Sequence, residues 1–141
     1  MNFTKHLAAV ESALASYTLP STIPSLTDPI HYLLGIGGKR IRPVLTLLSH
    51  ELFGGNANDV IHQALAIEVF HNFTLMHDDI MDAAPLRRGQ ATVHEKWDTN
   101  VAILSGDGMM IQAYALLPKN HESKFVSLFQ FFIDSVNPFS F

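Results

Sequence analysis

The sequence predicts an all-α domain, on three observations. Apolar residues recur at spacings of three and four along most of the chain, and Gly and Pro fall mainly between those stretches. No segment alternates apolar and polar residues long enough to read as a strand. Phe3, Leu7, Val10 and Leu14 lie on one stripe and predict a first amphipathic helix. Leu19 to Thr27, with two prolines and several hydroxyl residues, reads as a loop. Asp28-Pro29 reads as an N-cap followed by proline at the first helical position, and Gly35 to Gly38 as the end of that short helix. Pro43 opens a further helix to Phe53, stopped by Gly54-Gly55. From Asp59 to about Met81 the period is continuous, with Ile61, Leu65, Val69, Phe73 and Met76 on one face. Pro85 and Gly89 break it. Asn100 is placed to cap a helix through Leu117 that Pro118 closes, and a last helix is expected from Glu122 to Asp134.

Composition narrows the class. The 141 residues are 48% hydrophobic, enough to bury a single core. With no cysteine, the chain fits a reducing compartment, and the first residues lack the pattern of a signal peptide, so a cytoplasmic location is expected. No uninterrupted apolar run approaches the length of a membrane span, so no stable membrane insertion is expected. The net charge of −4, with the basic residues in short clusters, argues against nucleic acid as a partner.

The chemistry lies in the placement of the charges. All four arginines fall in two clusters, Gly37-Gly38-Lys39-Arg40-Ile41-Arg42-Pro43 and Leu86-Arg87-Arg88-Gly89. Between them, three of the eight aspartates sit in Asp78-Asp79-Ile80-Met81-Asp82. Carboxylates ligate a hard cation such as Mg²⁺, and guanidiniums bind phosphate oxygens, so the pattern points to a site for magnesium and diphosphates. On a helix, Asp78 and Asp82 share a face while Asp79 points about a hundred degrees away. Spacing alone leaves open a solvated acidic helix end. The glycine-rich turn before Arg42 presents backbone N–H groups and a helix N-terminus to an anion, but it lacks the spacing of a Walker loop. By itself it reads equally well as an ordinary loop. His71 lies about two helical turns before Asp78 and can share its cavity. No His or Cys set has zinc spacing.

Taken with the run Glu68 to Asp82 and with Leu104-Ser105-Gly106-Asp107, these elements resemble the trans-isoprenyl diphosphate synthases, the head-to-tail prenyltransferases of the polyprenyl synthetase family. The resemblance extends from near the N-terminus to about Phe132. It implies an isoprenoid synthase-type helical bundle around a central cavity, assembled as a homo-oligomer, usually a homodimer. It implies that Lys39, Arg42, His71 and Arg88 bind isopentenyl diphosphate. Asp78 and Asp82 would hold Mg²⁺ on an allylic diphosphate that Arg87 also contacts, which makes Asp78, Asp82 and Arg87 the implied catalytic set; Asp79 has a less direct role. Phe73 and Thr74, the fifth and fourth residues before Asp78, would form the cavity floor that limits product length, although periodicity reads Phe73 equally well as core. One aromatic there suggests a farnesyl or geranylgeranyl product. The implied reaction ionises the allylic C–O bond, the isopentenyl double bond attacks the cation, and proton loss yields an allylic product one isoprene unit longer.

One departure qualifies this. The family carries a second aspartate-rich motif downstream, whereas Asp98, Asp107 and Asp134 here are unpaired. Residues 1–132 therefore read as the N-terminal half of a synthase domain, truncated, and 133–141 as an atypical tail, frameshifted or prematurely stopped. On that reading the chain is inactive alone. Two other readings stand beside it: a non-catalytic helical subunit or remnant that keeps the diphosphate-binding motifs, and a terpene cyclase, against which the isopentenyl-type basic clusters argue.

Overall fold

The computed structural model describes residues 2–19 and 23–117, whose regular structure is helical apart from one small hairpin. The helix expected from Glu122 to Asp134 and the tail 133–141 lie outside the described residues. The helices are α1 (Phe3–Ala15), α2 (Pro24–Gly35), α3 (Ile41–Leu52), α4 (Ile61–Met81), α5 (Val93–Lys96) and α6 (Thr99–Leu116), with a 3₁₀ turn at Ala57–Val60 leading into α4. None among the described residues is long and apolar enough to cross a membrane.

Local chemistry sets most of the boundaries. Asn2 caps α1 by accepting from the Lys5 N–H. At the end of α3, Gly54 takes φ +84° while Gly55 N–H donates back to the His50 carbonyl and Gly54 N–H to that of Glu51. That is a Schellman stop, as the Gly54-Gly55 pair predicts. α4 ends in the same pattern with Ala83 in the left-handed position, φ +49°, where glycine is the usual occupant.

Four expectations need correction. α2 begins at Pro24, and Pro29 is inside it. Pro24 supplies the proline at the first position, and Pro29 removes only one early intrahelical bond while its ring is fully buried, so packing offsets the loss. Pro43 is the third residue of α3, still within the first turn, where its missing N–H has no intrahelical acceptor. Asp98, not Asn100, caps α6: its Oδ1 accepts from Val101 N–H at 2.8 Å. Strands do occur: β1 (Leu86–Arg87) pairs antiparallel with β2 (Gln90–Ala91). The two-residue loop Arg88-Gly89 has positive φ at both positions, +52° and +78°, as a type I′ turn requires. Two residues per strand are too few for alternation to show in a sequence.

α4 is the central element, packing most extensively along α6 and also against α1, α2 and α3. One apolar cluster joins α2, α4, α5 and α6 through Ile30, Leu33, Val69, Met76, Val93 and Met109. A second, around Val10, Val44, Leu47 and Ala64, joins α1, α3 and the start of α4. Each fully buried Leu or Met side chain contributes roughly 1.5–3 kcal/mol, so these two clusters fix the rear of α4 and leave its other face for the site.

Candidate diphosphate-binding site

The N-terminus of α3, the middle of α4 and the hairpin tip meet around one cavity of about 430 Å³, lined by Gly38, Lys39, Arg40, Ile41, Arg42, Glu68, His71 and Arg88. That volume lies within the range of about 300–1,000 Å³ usual for small-ligand sites. Lys39, Arg42, His71 and Arg88, brought from three separate segments, therefore line one pocket. Ile41 and Arg42 open α3, so their backbone N–H groups have no intrahelical acceptor and the positive end of the helix faces the pocket.

Each cation is held differently. Lys39 and Arg88 are exposed and have no hydrogen-bond or ion-pair partner among the described residues. Arg88 is the first left-handed residue of the type I′ turn, and its guanidinium lies close over Gly38: a Cβ at Gly38 would come within 2.6 Å of Arg88 Nη1. Arg42 Nη1 donates to His71 Nε2 at 3.1 Å. A guanidinium has no acceptor to offer, so Nε2 must be the bare nitrogen of a neutral ring. Burial, reinforced by the Arg42 charge, keeps the His71 pKa below the usual histidine value.

Arg40, which also lines the cavity, is buried. Its Nη1 donates to Glu68 Oε1 at 2.6 Å, Nε to Glu11 Oε1 at 3.0 Å and Nη2 to the Leu34 carbonyl at 2.8 Å. Burial opposes its charge, but the bonds to Glu68 and Glu11 outweigh that and raise its pKa. Glu68 also accepts from Asn72 Nδ2 at 3.1 Å. Nothing in the sequence pairs Arg40 with Glu11 or Glu68, which lie 29 and 28 positions away on other helices.

At the C-terminal end of α4 the aspartates divide. Asp78 and Asp82 are exposed, four residues apart, and their side chains have no partner among the described residues. Asp79 is buried and forms a two-pronged pair with Arg87. Arg87 Nη1 has no partner among the described residues. No group of three or more metal-ligating side chains converges among the described residues. Two unpaired oxygen-donor carboxylates nevertheless suit Mg²⁺, which commonly takes one or two carboxylates and completes its shell with water and substrate phosphate oxygens.

Below Asp78, Phe73 is half-buried, edge-on to Phe70 at 5.4 Å and to the His77 ring at 4.8 Å between centroids. The Thr74 hydroxyl donates to the His71 carbonyl at 2.7 Å, so it is satisfied within α4. His77 Nε2 lies 3.3 Å from the Ile103 carbonyl, and a Cβ at Gly106 would collide with the His77 ring. Gly106 thus lets α6 approach the aromatic row.

A sequence model of the polyprenyl synthetase family matches residues 23–138, and the chain belongs to that family. It is 42% identical over 118 residues to geranylgeranyl diphosphate synthase from Methanosarcina mazei, covering 84% of this chain and 36% of that one. It is 38% identical over 107 residues to heptaprenyl diphosphate synthase component 2 from Bacillus subtilis, covering 76% of this chain and 31% of that one. A crystal structure of a geranylgeranyl pyrophosphate synthase superposes with a TM-score of 0.86 at 50% identity, covering 94% of this chain and 40% of that one. The chain spans about a third of the length of the curated relatives it matches. The fold is that of the isoprenoid synthases.

Proposed function

We propose that this chain supplies the isopentenyl diphosphate pocket and the first allylic-diphosphate contacts of a head-to-tail, short-chain trans-prenyltransferase. The observation that carries the reading is the convergence of Lys39, Arg42, His71 and Arg88 on one cavity beside a helix N-terminus. Lys39 and Arg88, having no protein partners among the described residues, meet the diphosphate directly, and His71 sets the Arg42 guanidinium.

The allylic diphosphate belongs at the end of α4. Asp78 and Asp82 would hold Mg²⁺ there, and the ion would supply positive charge to the departing diphosphate. Arg87 reaches the same group through Nη1 while Asp79 fixes its plane. Phe73 and Thr74 form the floor beneath it, and the apolar wall of Phe70 and Phe73 keeps water from the allylic cation that the isopentenyl double bond attacks. The absence of cysteine fits a cytoplasmic enzyme. Assembly as a homo-oligomer belongs to the same reading, as does a 141-residue chain that binds substrate without turning it over by itself.

Calorimetric titration of the chain with isopentenyl diphosphate tests this. The expected result is binding that weakens about tenfold or more in Lys39→Ala and Arg88→Ala, each of which removes a charge-assisted contact. Equal affinity in parent and variants overturns the assignment. A second reading, a subunit that acts with another chain, is favoured by the relative named as a component of heptaprenyl diphosphate synthase. Turnover that appears only when a second chain is added separates it from the first.

A further inference from the structure

Arg40 is the pocket cation that is not free to meet a ligand. It is 4% exposed while its neighbours Lys39, Ile41 and Arg42 are all exposed. Its φ of +48° places it in the left-handed region, which a residue with a Cβ enters against steric resistance. Its backbone caps α3, and its guanidinium bonds to Glu11 on α1, to the Leu34 carbonyl on α2 and to Glu68 on α4. One residue, by its side chain and its backbone, therefore ties four helices beside the cavity.

Glu68 is the only carboxylate among the residues lining that cavity, against Lys39, Arg40, Arg42 and Arg88. It is 5% exposed and three residues before His71, so an unneutralised charge there would repel a diphosphate at close range in a poorly solvated place. Arg40 Nη1 bonds to it directly. We propose that Arg40 is a positioning residue for isopentenyl diphosphate: it cancels the Glu68 charge and fixes the start of α3, so that Lys39, Arg42 and His71 present a uniformly cationic face. The inference rests on the isopentenyl diphosphate reading of the pocket. Lysine could not substitute, because a single ammonium cannot span the three separate acceptors that the planar fork reaches.

The test is titration with isopentenyl diphosphate at fixed ionic strength, using Arg40→Gln, Glu68→Gln, the double variant and Lys39→Ala, with folding checked by circular dichroism. Arg40→Gln is expected to weaken binding about tenfold, since it leaves Glu68 charged and unpaired. Glu68→Gln keeps an oxygen that accepts from Arg40 and removes the repulsive charge, so it should bind at least as tightly as the parent. The double variant should recover most of the affinity lost in Arg40→Gln. A purely structural role gives a different pattern: Glu68→Gln weakens binding as Arg40→Gln does, because each breaks the buried pair. That pattern overturns the proposal, as does parent-like affinity in Arg40→Gln. If Arg40→Gln does not fold, Glu68→Gln decides alone, and weaker binding overturns the proposal. Lys39→Ala separates the two levels: unchanged affinity there removes the pocket assignment itself and the inference with it. Weakened affinity there with a parent-like Arg40→Gln removes only the inference.

Discussion

Arg87 holds Asp79 with two parallel hydrogen bonds, Nε to Oδ2 and Nη2 to Oδ1, each 2.8 Å long. This joins the hairpin to the end of α4 and divides the aspartate motif into two kinds of residue. Asp79 is buried and matched by a planar partner, whereas Asp78 and Asp82 are exposed with no protein partner among the described residues. The middle aspartate orients the arginine, and the outer two remain available to a cation.

That division predicts opposite mutational behaviour within five residues. Arg87→Ala leaves a buried carboxylate unpaired and should destabilise the fold by about 2–3 kcal/mol. Asp78→Ala and Asp82→Ala should leave stability within about 0.5 kcal/mol, tending toward a gain, because carboxylates at a helix C-terminus oppose the dipole. Those two variants should instead abolish Mg²⁺-dependent binding of a non-hydrolysable allylic diphosphate, and Asp79→Ala should reduce it less. Urea unfolding and calorimetric titration read the two effects separately. Undiminished affinity in all three aspartate variants would falsify the metal assignment.

The Arg42–His71 bond gives a pH signature. Burial, then the Arg42 charge, lowers the folded-state pKa of His71, so the unfolded chain binds the proton more readily. The stability His71 contributes is therefore complete above its unfolded value of about 6.5. It is lost as pH falls through the depressed folded value. Unfolding midpoints measured from neutral to acid pH should fall more steeply in the parent than in His71→Gln. Parallel curves would mean that burial and the Arg42 charge do not lower the folded-state pKa of His71.

Product length tests the aromatic row. Phe73 stands edge-on between Phe70 and the His77 ring, about one helical turn below Asp78. In a full-length synthase built around this segment, Phe73→Ala should open the floor and shift the product toward longer chains, read by chromatography. An unchanged distribution would place the floor elsewhere and leave Phe73 as core.

Much of the fold and the site is legible in the sequence, and the parts that are not have physical reasons. Helical spacing exposes α1 and α4 because each buries a stripe against the clusters around Val10 and Val69. Lys39 and Arg42 beside the glycine turn, Arg88 in the hairpin and His71 within α4 are picked out together by the family resemblance, since residue type and spacing alone leave the basic turn open as an ordinary loop. Arg40 and Arg42 look equivalent in the sequence, yet a single left-handed residue sends one inward and leaves the other exposed. Helical phase sets Asp79 apart from Asp78 and Asp82, but its partner shows only once the hairpin returns Arg87 to it. Pro29 misleads because tight burial offsets the lost bond, an effect of tertiary packing that local propensity does not carry.

The 141-residue chain alone should bind isopentenyl diphosphate but show no appreciable turnover. It spans about a third of the length of its curated relatives, 36% in the case of the Methanosarcina mazei enzyme. Beyond Asp82, the two described aspartates are otherwise placed: Asp98 caps α6, and Asp107 lies 3.9 Å from His77 Nε2. Neither joins Asp78 and Asp82 in a larger ligand set among the described residues. Each missing element of a preorganised electrostatic site typically costs about two to three powers of ten in rate. The same chain leaves apolar residues of α4 and α6 in solvent: Phe70 is 40% exposed, Leu104 57% and Ile111 60%. Phe70 stacks edge-on with Tyr114 of α6 at 6.3 Å, so the exposed ring sits where the two helices meet. Such a surface is expected to drive self-association into a dimer or larger assembly. Light scattering combined with a coupled diphosphate-release assay measures both properties on one sample. A monodisperse monomer that turns over the two diphosphates at a rate typical of complete enzymes, about 1 s⁻¹ or faster, would overturn both expectations.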